Sequence, residues 1–476
     1  MATNEPAARG SEQPEHGAKA TGASSYKWLV LGVVGLGTFM SALDGSIVNT
    51  IVPLIREQYQ ATMGDISWVS AAYLLVISSL LLSIGRLGDM WGFKWVFSAG
   101  FAIFGAGSLL CGLAPTLPAL IGARVVQGTG AAVLMAIGPA LITSSFPGTE
   151  RGRALGLQAT LTYTGLTLGP SLGGWIAGQF SWHWAFLINV PVAAIGVALA
   201  ISHLRATERR GRQRFDLIGA LTFAAGLTGL LVAMSQAESW GWGSGKTLLF
   251  VFGGLLLLLL FVRQERRTEQ PMLPLWLFRN RVFSGGVVAA YLQYAATFML
   301  TFLLPFYLQQ FRGLSPAGAG AVMTAQPAVM VAVAGLAGWL SDKVGTRGPA
   351  TLGMAVTAAG LWLLSRSGAA TPYGLIMLFL GLVGLGSGLF TPPNNSSILG
   401  AAPRERQGIA SALLAAARNV GMVSGIAFSS TLFTLLQRES DFLAAFRDTL
   451  AGAVGLAALS AVLSLLRPTL PRGKQE

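Results

Sequence analysis

One acidic side chain lies deep inside a long apolar run. Asp44 falls within the run 27–50, and it is the only one of the 19 acidic residues that lies well inside such a run. An unpaired carboxylate in an apolar medium costs at least ~2.5 kcal/mol, so a carboxyl group in such a place usually binds a proton or a cation. Desolvation favours its protonated form, whereas a nearby cation favours its ionised form. Asp44 is therefore a candidate proton-binding group, with a static ion pair as the alternative.

The run that contains Asp44 is one of many. The 476 residues are 53% hydrophobic and 11% charged, whereas a soluble globular chain has roughly 25% charged residues. Each apolar run has about 20 residues, which as a helix can cross a hydrocarbon core of roughly 30 Å. We therefore predict an all-α integral membrane protein without a sizeable soluble domain. The fourteen predicted spans are 27–50, 66–86, 95–114, 118–140, 154–178, 184–203, 216–236, 246–263, 282–305, 317–341, 349–366, 372–392, 408–434 and 446–466.

The basic residues between the spans are unevenly distributed. Segments on the side of the N-terminus hold 24 of the 32 basic residues and segments on the other side hold six, which leaves Arg124 and Arg418 inside predicted spans. By the positive-inside rule the first side is cytoplasmic, and an even number of spans places both termini there. Orientation in a membrane thus explains the net charge of +13, and nucleic-acid binding is not expected. Residues 1–24 and 467–476 are predicted to be cytoplasmic tails, the first of them disordered.

Arg124 is predicted to lie at a depth similar to that of Asp44. Counted along the helices, Asp44 lies roughly 24 Å above the cytoplasmic start of its span, and Arg124 lies roughly 9 Å below the outer start of the span 118–140. Both groups therefore lie in the outer half of the membrane. A purely structural role for Arg124 is the alternative.

An internal repeat indicates two related halves. The sequence Gly85–Gly92 (GRLGDMWG) after the second span is echoed by Gly338–Gly345 (GWLSDKVG) after the tenth. Two six-helix halves would place the copies after spans two and eight, so a copy after span ten implies two inserted helices. The predicted domains are an N-terminal six-helix bundle (25–205), an inserted helix pair with basic flanking loops (206–270) and a C-terminal six-helix bundle (271–466).

Both copies of the repeat are predicted to lie in cytoplasmic loops. Asp89 and Asp342 would pair there with basic groups or helix ends and hold one conformation until the halves rearrange. The residues assigned to this conformational latch are Gly85, Arg86, Asp89, Gly92, Lys94, Asp342 and Arg347.

Three motifs resemble those of a known transporter family. They are Leu43–Pro53 (LDGSIVNTIVP), Arg124–Gly130 (RVVQGTG) and Gly165–Gly174 (GLTLGPSLGG). They resemble the first-, fourth- and fifth-helix motifs of the fourteen-span drug:proton antiporter branch of the major facilitator superfamily, and the resemblance covers residues 25–466. It implies the major facilitator fold, in which the first and fourth helices meet beside a central cavity, and a proton-transfer role for Arg124. In that fold the similar depths of Asp44 and Arg124 make a direct or water-mediated interaction possible.

The resemblance also implies antiport. The family associates the fifth-helix motif with antiporters and with the helix pair that seals and bends during transport, because glycines permit close helix contact and proline weakens the helix. The motif residues are Gly165, Gly169, Pro170, Gly173 and Gly174. The first copy of the loop repeat departs from the family pattern, since Met90 and Phe93 stand where basic residues are usual.

Polar residues inside the spans are candidates for the walls of the cavity. They could orient a ligand among apolar and aromatic side chains, and helix–helix hydrogen bonding is the alternative for each. The candidates are Asn49, Tyr73, Gln127, Tyr163, Gln293, Tyr294, Gln326, Asn394, Asn395 and Arg418. Family members that export multivalent cations tend to carry extra acids in their C-terminal helices, whereas spans nine to fourteen carry none away from their ends. Neutral or monovalent cationic ligands are therefore expected.

These features together predict proton-coupled export of hydrophobic small molecules, as in multidrug efflux and antibiotic resistance, by a monomer in the inner (plasma) membrane of a bacterium. The alternative is a dedicated exporter of one natural product, lipid or metabolite on the same scaffold. An enzyme is not expected, because the sequence has no Walker-type GxxxxGK[ST], no HExxH and no nucleophile constellation. Neither a metal nor a cofactor other than protons is expected, since Cys111 is the single cysteine and the three histidines are scattered.

Overall fold

The structure, a computed structural model, describes residues 16–147, 150–206, 216–241, 243–268, 275–403 and 407–468. Within these residues the chain forms α-helices joined by short turns, with a 3-10 segment at Leu275–Arg279 and a π-helical segment at Tyr307–Phe311. The α-helices are α1 (His16–Tyr59), α2 (Met63–Trp91), α3 (Phe93–Gly112), α4 (Leu117–Ser145), α5 (Arg151–Gln179), α6 (Trp184–Leu187), α7 (Asn189–His203), α8 (Leu217–Trp240), α9 (Gly245–Arg267), α10 (Arg281–Phe306), α11 (Pro316–Met323), α12 (Ala325–Val344), α13 (Arg347–Ser365), α14 (Tyr373–Gly400), α15 (Gln407–Gln437) and α16 (Phe442–Leu466).

The helices are long and apolar enough to cross a membrane many times. Twelve helical segments of the described residues meet the length and hydropathy expected of a span. Helices α5 and α8 are not among the twelve, and α8 contributes a shorter apolar stretch, Ile218–Met234. The prediction of an all-helical membrane protein is therefore confirmed, while the number of fourteen spans stays a prediction.

Three helix boundaries differ from those predicted from the sequence: the start of α1 and the ends of α2 and α12. Helix α1 begins at His16, so positions 16–24 of the predicted tail are helical, and positions 1–15 lie outside the described residues. The repeat does not lie in loops but forms the last turns of α2 and α12, each of which ends at a glycine. Gly92 and Gly345 have φ of 87° and 89°, a conformation that favours glycine and ends a helix. Their N–H groups donate to the carbonyls of Gly88 and Ser341, so the two copies end their helices in the same way.

The helices pack as two similar halves. In the first half α1 packs against α5, α2 against α4 and α3 against α4; in the second, α10 packs against α15, α12 against α14 and α13 against α14. The halves meet where α2 packs against α15 and α5 packs against α11. Helices α8 and α9 pack against each other, and α8 also contacts α2 and α15. The inserted pair therefore lies against one of the two seams between the halves.

The two ends of the molecule differ in how the halves are joined. The basic end is the end where α2 and α12 finish, and the opposite end is where α1 and α15 finish. The largest cluster of buried apolar side chains contains residues of both halves. Its residues from α1 lie at positions 43–55 and those from α2 at positions 63–75. Both ranges are the parts of their helices nearer the opposite end. A second cluster, with positions 30–40 and 73–84 of the same helices, contains described residues of the first half alone. A third contains residues of the second half and the insert, such as Phe261 and Phe283. The halves are thus joined at the opposite end and have separate cores at the basic end.

Candidate functional site

Asp44 and Arg124 form a buried ion pair. Arg124 Nη1 donates to Asp44 Oδ2 at 2.6 Å, and the two side chains are 0% and 1% exposed. Arg124 Nε donates to the carbonyl oxygen of Val69 on α2 at 2.9 Å, and its guanidinium lies 4.1 Å from the centre of the Tyr73 ring. The carboxylate of α1 is thereby joined directly to α4 and, through the arginine, to α2.

Two amide side chains complete the surroundings of the carboxylate. Gln127 Nε2 donates to Asp44 Oδ1 at 2.8 Å, and Asn189 Nδ2 of α7 donates to the same oxygen at 3.0 Å. Gln127 also accepts from Arg124 Nη1 at 2.5 Å and donates to Ser108 Oγ of α3 at 2.8 Å. Asp44 therefore accepts three hydrogen bonds, which compensate for the removal of its charge from water.

Glycines allow α4 to approach closely enough to build this network. A Cβ at Gly107 of α3 would overlap the backbone of Gln127, and one at Gly128 would lie 2.9 Å from the carbonyl oxygen of Tyr73. A Cβ at Gly130 would overlap the backbone nitrogen of Phe104. The RVVQGTG sequence thus places Arg124 and Gln127 toward α1, α2 and α3, with glycines at the points of closest contact.

The charges of Asp44 and Arg124 depend on each other for their stabilisation. An ionised Asp44 balances the charge of Arg124, whereas a protonated Asp44 would leave the arginine as a buried cation without a counter-ion. Removing one partner of a buried pair costs about 3–5 kcal/mol. A change in the charge of either side chain would therefore require that the other gain another partner or access to water.

The glycine motif of α5 has two contact faces. One face contacts α1 through three glycines. A Cβ at Gly165 would lie 2.7 Å from the carbonyl oxygen of Phe39, and one at Gly169 would overlap the side chain of Ser46. A Cβ at Gly173 would lie 3.0 Å from the carbonyl oxygen of Ile47. On the other face, a Cβ at Gly174 would overlap the carbonyl oxygen of Pro316 in the second half.

The contact of α5 with the second half is reciprocal. A Cβ at Gly320 of α11 would overlap the carbonyl oxygen of Pro170 in the α5 motif. A hydrogen bond of 2.7 Å joins the hydroxyls of Ser171 and Thr324 beside it. The motif therefore holds α5 to α1 and also forms part of the seal between the halves at the opposite end.

Further hydrogen bonds close the opposite end. Gln309 Nε2 donates to the carbonyl oxygen of Thr50 at 2.7 Å, and Arg56 Nη1 donates to Gln310 Oε1 at 3.1 Å. Both join α1 to the π-helical segment Tyr307–Phe311 of the second half. The oxygen atoms that accept these two hydrogen bonds are uncharged. Closing this part of the seal therefore requires no pairing of opposite charges.

The predicted latch is described only in part. The side chains at positions 85, 86, 89 and 342 lie outside those that the structure describes. Lys94 Nζ lies 5.6 Å from the centre of the Trp95 ring, and Arg347 is half-buried as the first residue of α13. A latch function for these residues stays a prediction.

Five of the predicted cavity residues instead bind other helices. Tyr73 and Gln127 belong to the Asp44 network, and Asn49 accepts from Ser70 Oγ at 3.3 Å. Gln293 donates to Ser387 Oγ at 3.4 Å, and Asn394 Nδ2 donates to the carbonyl oxygen of Gly286 at 3.0 Å. All five are at most 7% exposed, so in this conformation they contribute to helix packing and not to a cavity wall. Candidates with partly exposed side chains are Tyr163, Tyr294, Gln326, Asn395 and Arg418.

Asn189 and Ser108 are site residues that the sequence analysis missed. Asn189 is 1% exposed and lies inside the predicted span 184–203. A carboxamide in an apolar run is the same kind of signal that identified Asp44, and it could have been used to find Asn189. Ser108 gives no such signal, because serines are common in these helices.

Comparison with known proteins identifies the family. The family model of the Major Facilitator Superfamily matches residues 34–315 and 286–476. The chain belongs to the Major Facilitator Superfamily. Among superfamily relatives, the riboflavin transporter RibZ of Clostridioides difficile is 39% identical over 86% of this chain and 88% of that protein. The multidrug resistance protein Stp of Mycobacterium tuberculosis is 32% identical over 84% of this chain and 74% of that protein.

A solved structure shares the superfamily fold. The crystal structure of a bacterial homologue of the human lysosomal transporter Spinster aligns with a TM-score of 0.67 at 15% identity, and the alignment covers 93% of this chain and 96% of that one. At this identity the likeness concerns the fold alone. Membership of the superfamily makes this chain a multi-pass membrane transporter and not an enzyme.

Proposed function

We propose that this chain is a proton-coupled antiporter that exports hydrophobic small molecules by alternating access. The observation that carries the proposal is the buried network of Asp44, Arg124, Gln127 and Asn189. It holds a carboxylate in the interior of a two-half transporter, on a helix that also contacts the motif of α5. A relative named for multidrug resistance supports export as the direction of transport.

The excess of basic residues supports a cytoplasmic basic end. With fourteen spans both termini lie on that side, in the inner membrane of a bacterium. The halves have separate cores at this end and are joined at the other. With a cytoplasmic basic end, this conformation would be the one that loads substrate from the cytoplasm. Introduced cysteines in a Cys111→Ser background provide a test: positions at the basic end should react with an impermeant maleimide only after the cells are opened.

In the proposed cycle one proton moves in as substrate moves out. The loaded halves rearrange, which opens the opposite end and exposes Asp44 to protons from outside. A proton bound to a carboxylate oxygen of Asp44 breaks its ion pair with Arg124, and substrate leaves. When the basic end reopens, the proton leaves to the cytoplasm and the ion pair forms again. A monomer contains every residue that this cycle uses.

The test is transport of lipophilic dyes and drugs in proteoliposomes under a proton gradient. The native protein is compared with Asp44→Asn, and Asp448→Asn serves as the control because Asp448 is an exposed acid on α16. We expect gradient-driven movement of several compounds, lost in Asp44→Asn and kept in Asp448→Asn. Undiminished transport by Asp44→Asn would remove Asp44 from the mechanism.

A dedicated exporter is the second candidate. It is favoured by the 39% identity to a protein named as a riboflavin transporter. The same panel, extended with riboflavin and other metabolites, distinguishes the two. Movement of several unrelated compounds favours a multidrug antiporter, whereas movement of a single compound favours a dedicated exporter.

A further inference from the structure

Three polar side chains from both halves lie near one another between the halves. Tyr163 of α5 interacts electrostatically with Tyr294 of α10 and with Arg418 of α15. These residues lie twelve, thirteen and eleven positions after the first residues of their helices, which is roughly 17–20 Å from the basic end. They therefore occupy similar depths near the middle of the molecule, where the first half faces the second.

Close helix packing places the face of α15 that carries Arg418 toward α10. A Cβ at Gly421 of α15 would lie 3.2 Å from Tyr294 Cβ, and one at Gly425 would overlap the carbonyl oxygen of Ala295. Arg418 lies three residues before Gly421 and so shares its helix face. The neighbouring Asn419 is 2% exposed, whereas Arg418 remains partly exposed. The side chain of Arg418 thus lies on the side of α15 that faces α10, where it is partly exposed.

Arg418 has no ion-pair partner among the described residues. Its buried Nε atom also lacks a hydrogen-bond partner. Asp44 is the only acid deep within the described helices, and it is fully buried against Arg124. Among the described residues, the helices that border this space therefore carry a partly exposed cation with an unpartnered donor and no carboxylate paired with it. A lone guanidinium in such a place is stabilised by an incoming anion.

We propose that the space between the halves at this depth selects aromatic substrates that carry an anionic group, such as a carboxylate or a phenolate. Arg418 donates to the anion in the fork geometry that guanidinium groups offer to carboxylates. Tyr163 and Tyr294 donate hydrogen bonds and provide ring faces for an aromatic ligand. The inference rests on the proposed transport function and narrows its substrate class, since a monovalent cation would meet Arg418 as a like charge.

Binding of matched dyes tests the proposal without a proton gradient. The probes are carboxyfluorescein, which is anionic, and rhodamine 123, which is cationic on the same ring system. Their affinities are measured by fluorescence anisotropy with protein in nanodiscs. We expect the native protein to bind carboxyfluorescein at least tenfold more tightly than rhodamine 123. We expect Arg418→Gln to lose at least tenfold in affinity for the anion and to leave the affinity for the cation unchanged or increased.

Two variants separate charge recognition from loss of the fold. Arg418→Lys keeps the charge and should retain part of the preference for the anion, and Arg447→Gln, at an exposed arginine of α16, should retain all of it. Equal or tighter binding of the cation by the native protein, no binding of either dye, or an equal loss for both dyes in Arg418→Gln would overturn the proposal. The binding assay uses no proton gradient, so it tests the substrate class separately from proton coupling. If binding is selective for the anion but transport does not depend on a gradient, proton coupling is contradicted and the substrate class is not.

Discussion

Gly174 of α5 lies so close to the carbonyl oxygen of Pro316 on α11 that a side-chain carbon at position 174 would overlap that oxygen. The contact is matched by Gly320, whose added carbon would overlap the carbonyl oxygen of Pro170. Each half thus supplies one glycine to a backbone contact with the other half. Because both obstacles are backbone atoms, neither contact can accept a side chain without separation of the helices.

Gly174→Ala should therefore open the seal at the opposite end. The overlap forces α5 away from α11 and makes the conformation described here less favourable, so the population shifts toward conformations open at that end. One spin label is placed on α5 and one on α11, both at the end of the molecule opposite the basic end, in a Cys111→Ser background. The distance between the two labels, measured by pulsed electron paramagnetic resonance, should increase.

Gly178→Ala is the matched control for this substitution. An added carbon at Gly178 lies 4.0 Å from the Ala317 side chain, which is ordinary van der Waals contact. The distances in Gly178→Ala should equal those in the labelled parent protein. Unchanged distances in Gly174→Ala would show that α5 and α11 do not close the seal in the way that the structure describes.

Asn189→Ala should weaken proton coupling without removing it. The variant keeps the ion pair of Asp44 and Arg124 but deletes one hydrogen bond to the carboxylate, and a bond to a charged group contributes about 1.5–3 kcal/mol. That range corresponds to a change of roughly ten- to a hundredfold in an equilibrium constant. We expect gradient-driven transport to fall by about this factor.

The specific readout is substrate exchange in the absence of a gradient. Exchange does not require net proton movement, so it should change less than gradient-driven transport in Asn189→Ala. An equal loss in both assays would indicate that Asn189 supports only the packing of α7 and has no part in coupling.

The sequence revealed the two charged groups of the site better than it revealed their surroundings. Asp44 and Arg124 could be found because charge is rare in apolar helices, and helical rise alone gave them similar depths. The rotation of each helix about its axis is set by packing and cannot be obtained from depth. For that reason Gln127 and Asn394 were predicted for the cavity although both are buried against other helices.

Helix boundaries were harder to predict than helices. Apolar runs mark the membrane-crossing part of a helix, but backbone hydrogen bonding continues into polar sequence until a residue ends it. At the repeat that residue is Gly92 or Gly345, so the polar sequence before each glycine is helical. A run of charged and small residues was insufficient to distinguish a helix end from a loop.

Asn394→Leu should destabilise the protein, because it deprives a buried arginine of its partner. Arg467 Nη1 donates to Asn394 Oδ1 at 2.7 Å, and Nη2 is buried without a partner. Burial lowers the pKa of Arg467 to about 10. Loss of a hydrogen bond to a charged group should reduce the free energy of unfolding by about 1.5–3 kcal/mol, which thermal unfolding in detergent measures.

The neighbouring Asn395 and a double variant are the controls. Asn395→Leu should have a smaller effect, since its side chain is only partly buried. In an Arg467→Met background Asn394 has no buried charge beside it, so Asn394→Leu should lose most of its effect. An undiminished effect in that background would assign the stability to the bond from Asn394 to Gly286 instead.

His183 should make the protein less stable in mild acid. It lies in the turn before α6, stacked on Trp182 with ring centroids 3.7 Å apart, and its Nδ1 is 2.7 Å from Ser181 Oγ. Burial lowers the pKa of His183 below 6.5, so the folded protein takes up a proton less readily than the unfolded chain. Its contribution to stability is complete above the unfolded pKa of about 6.5 and decreases as the pH falls through the folded value.

Melting temperatures between pH 8 and pH 5 should fall less in His183→Gln than in the native protein. His203→Gln, at an exposed position at the end of α7, should follow the native curve, and a His183→Gln curve equal to the native one would show that other groups cause the acid sensitivity.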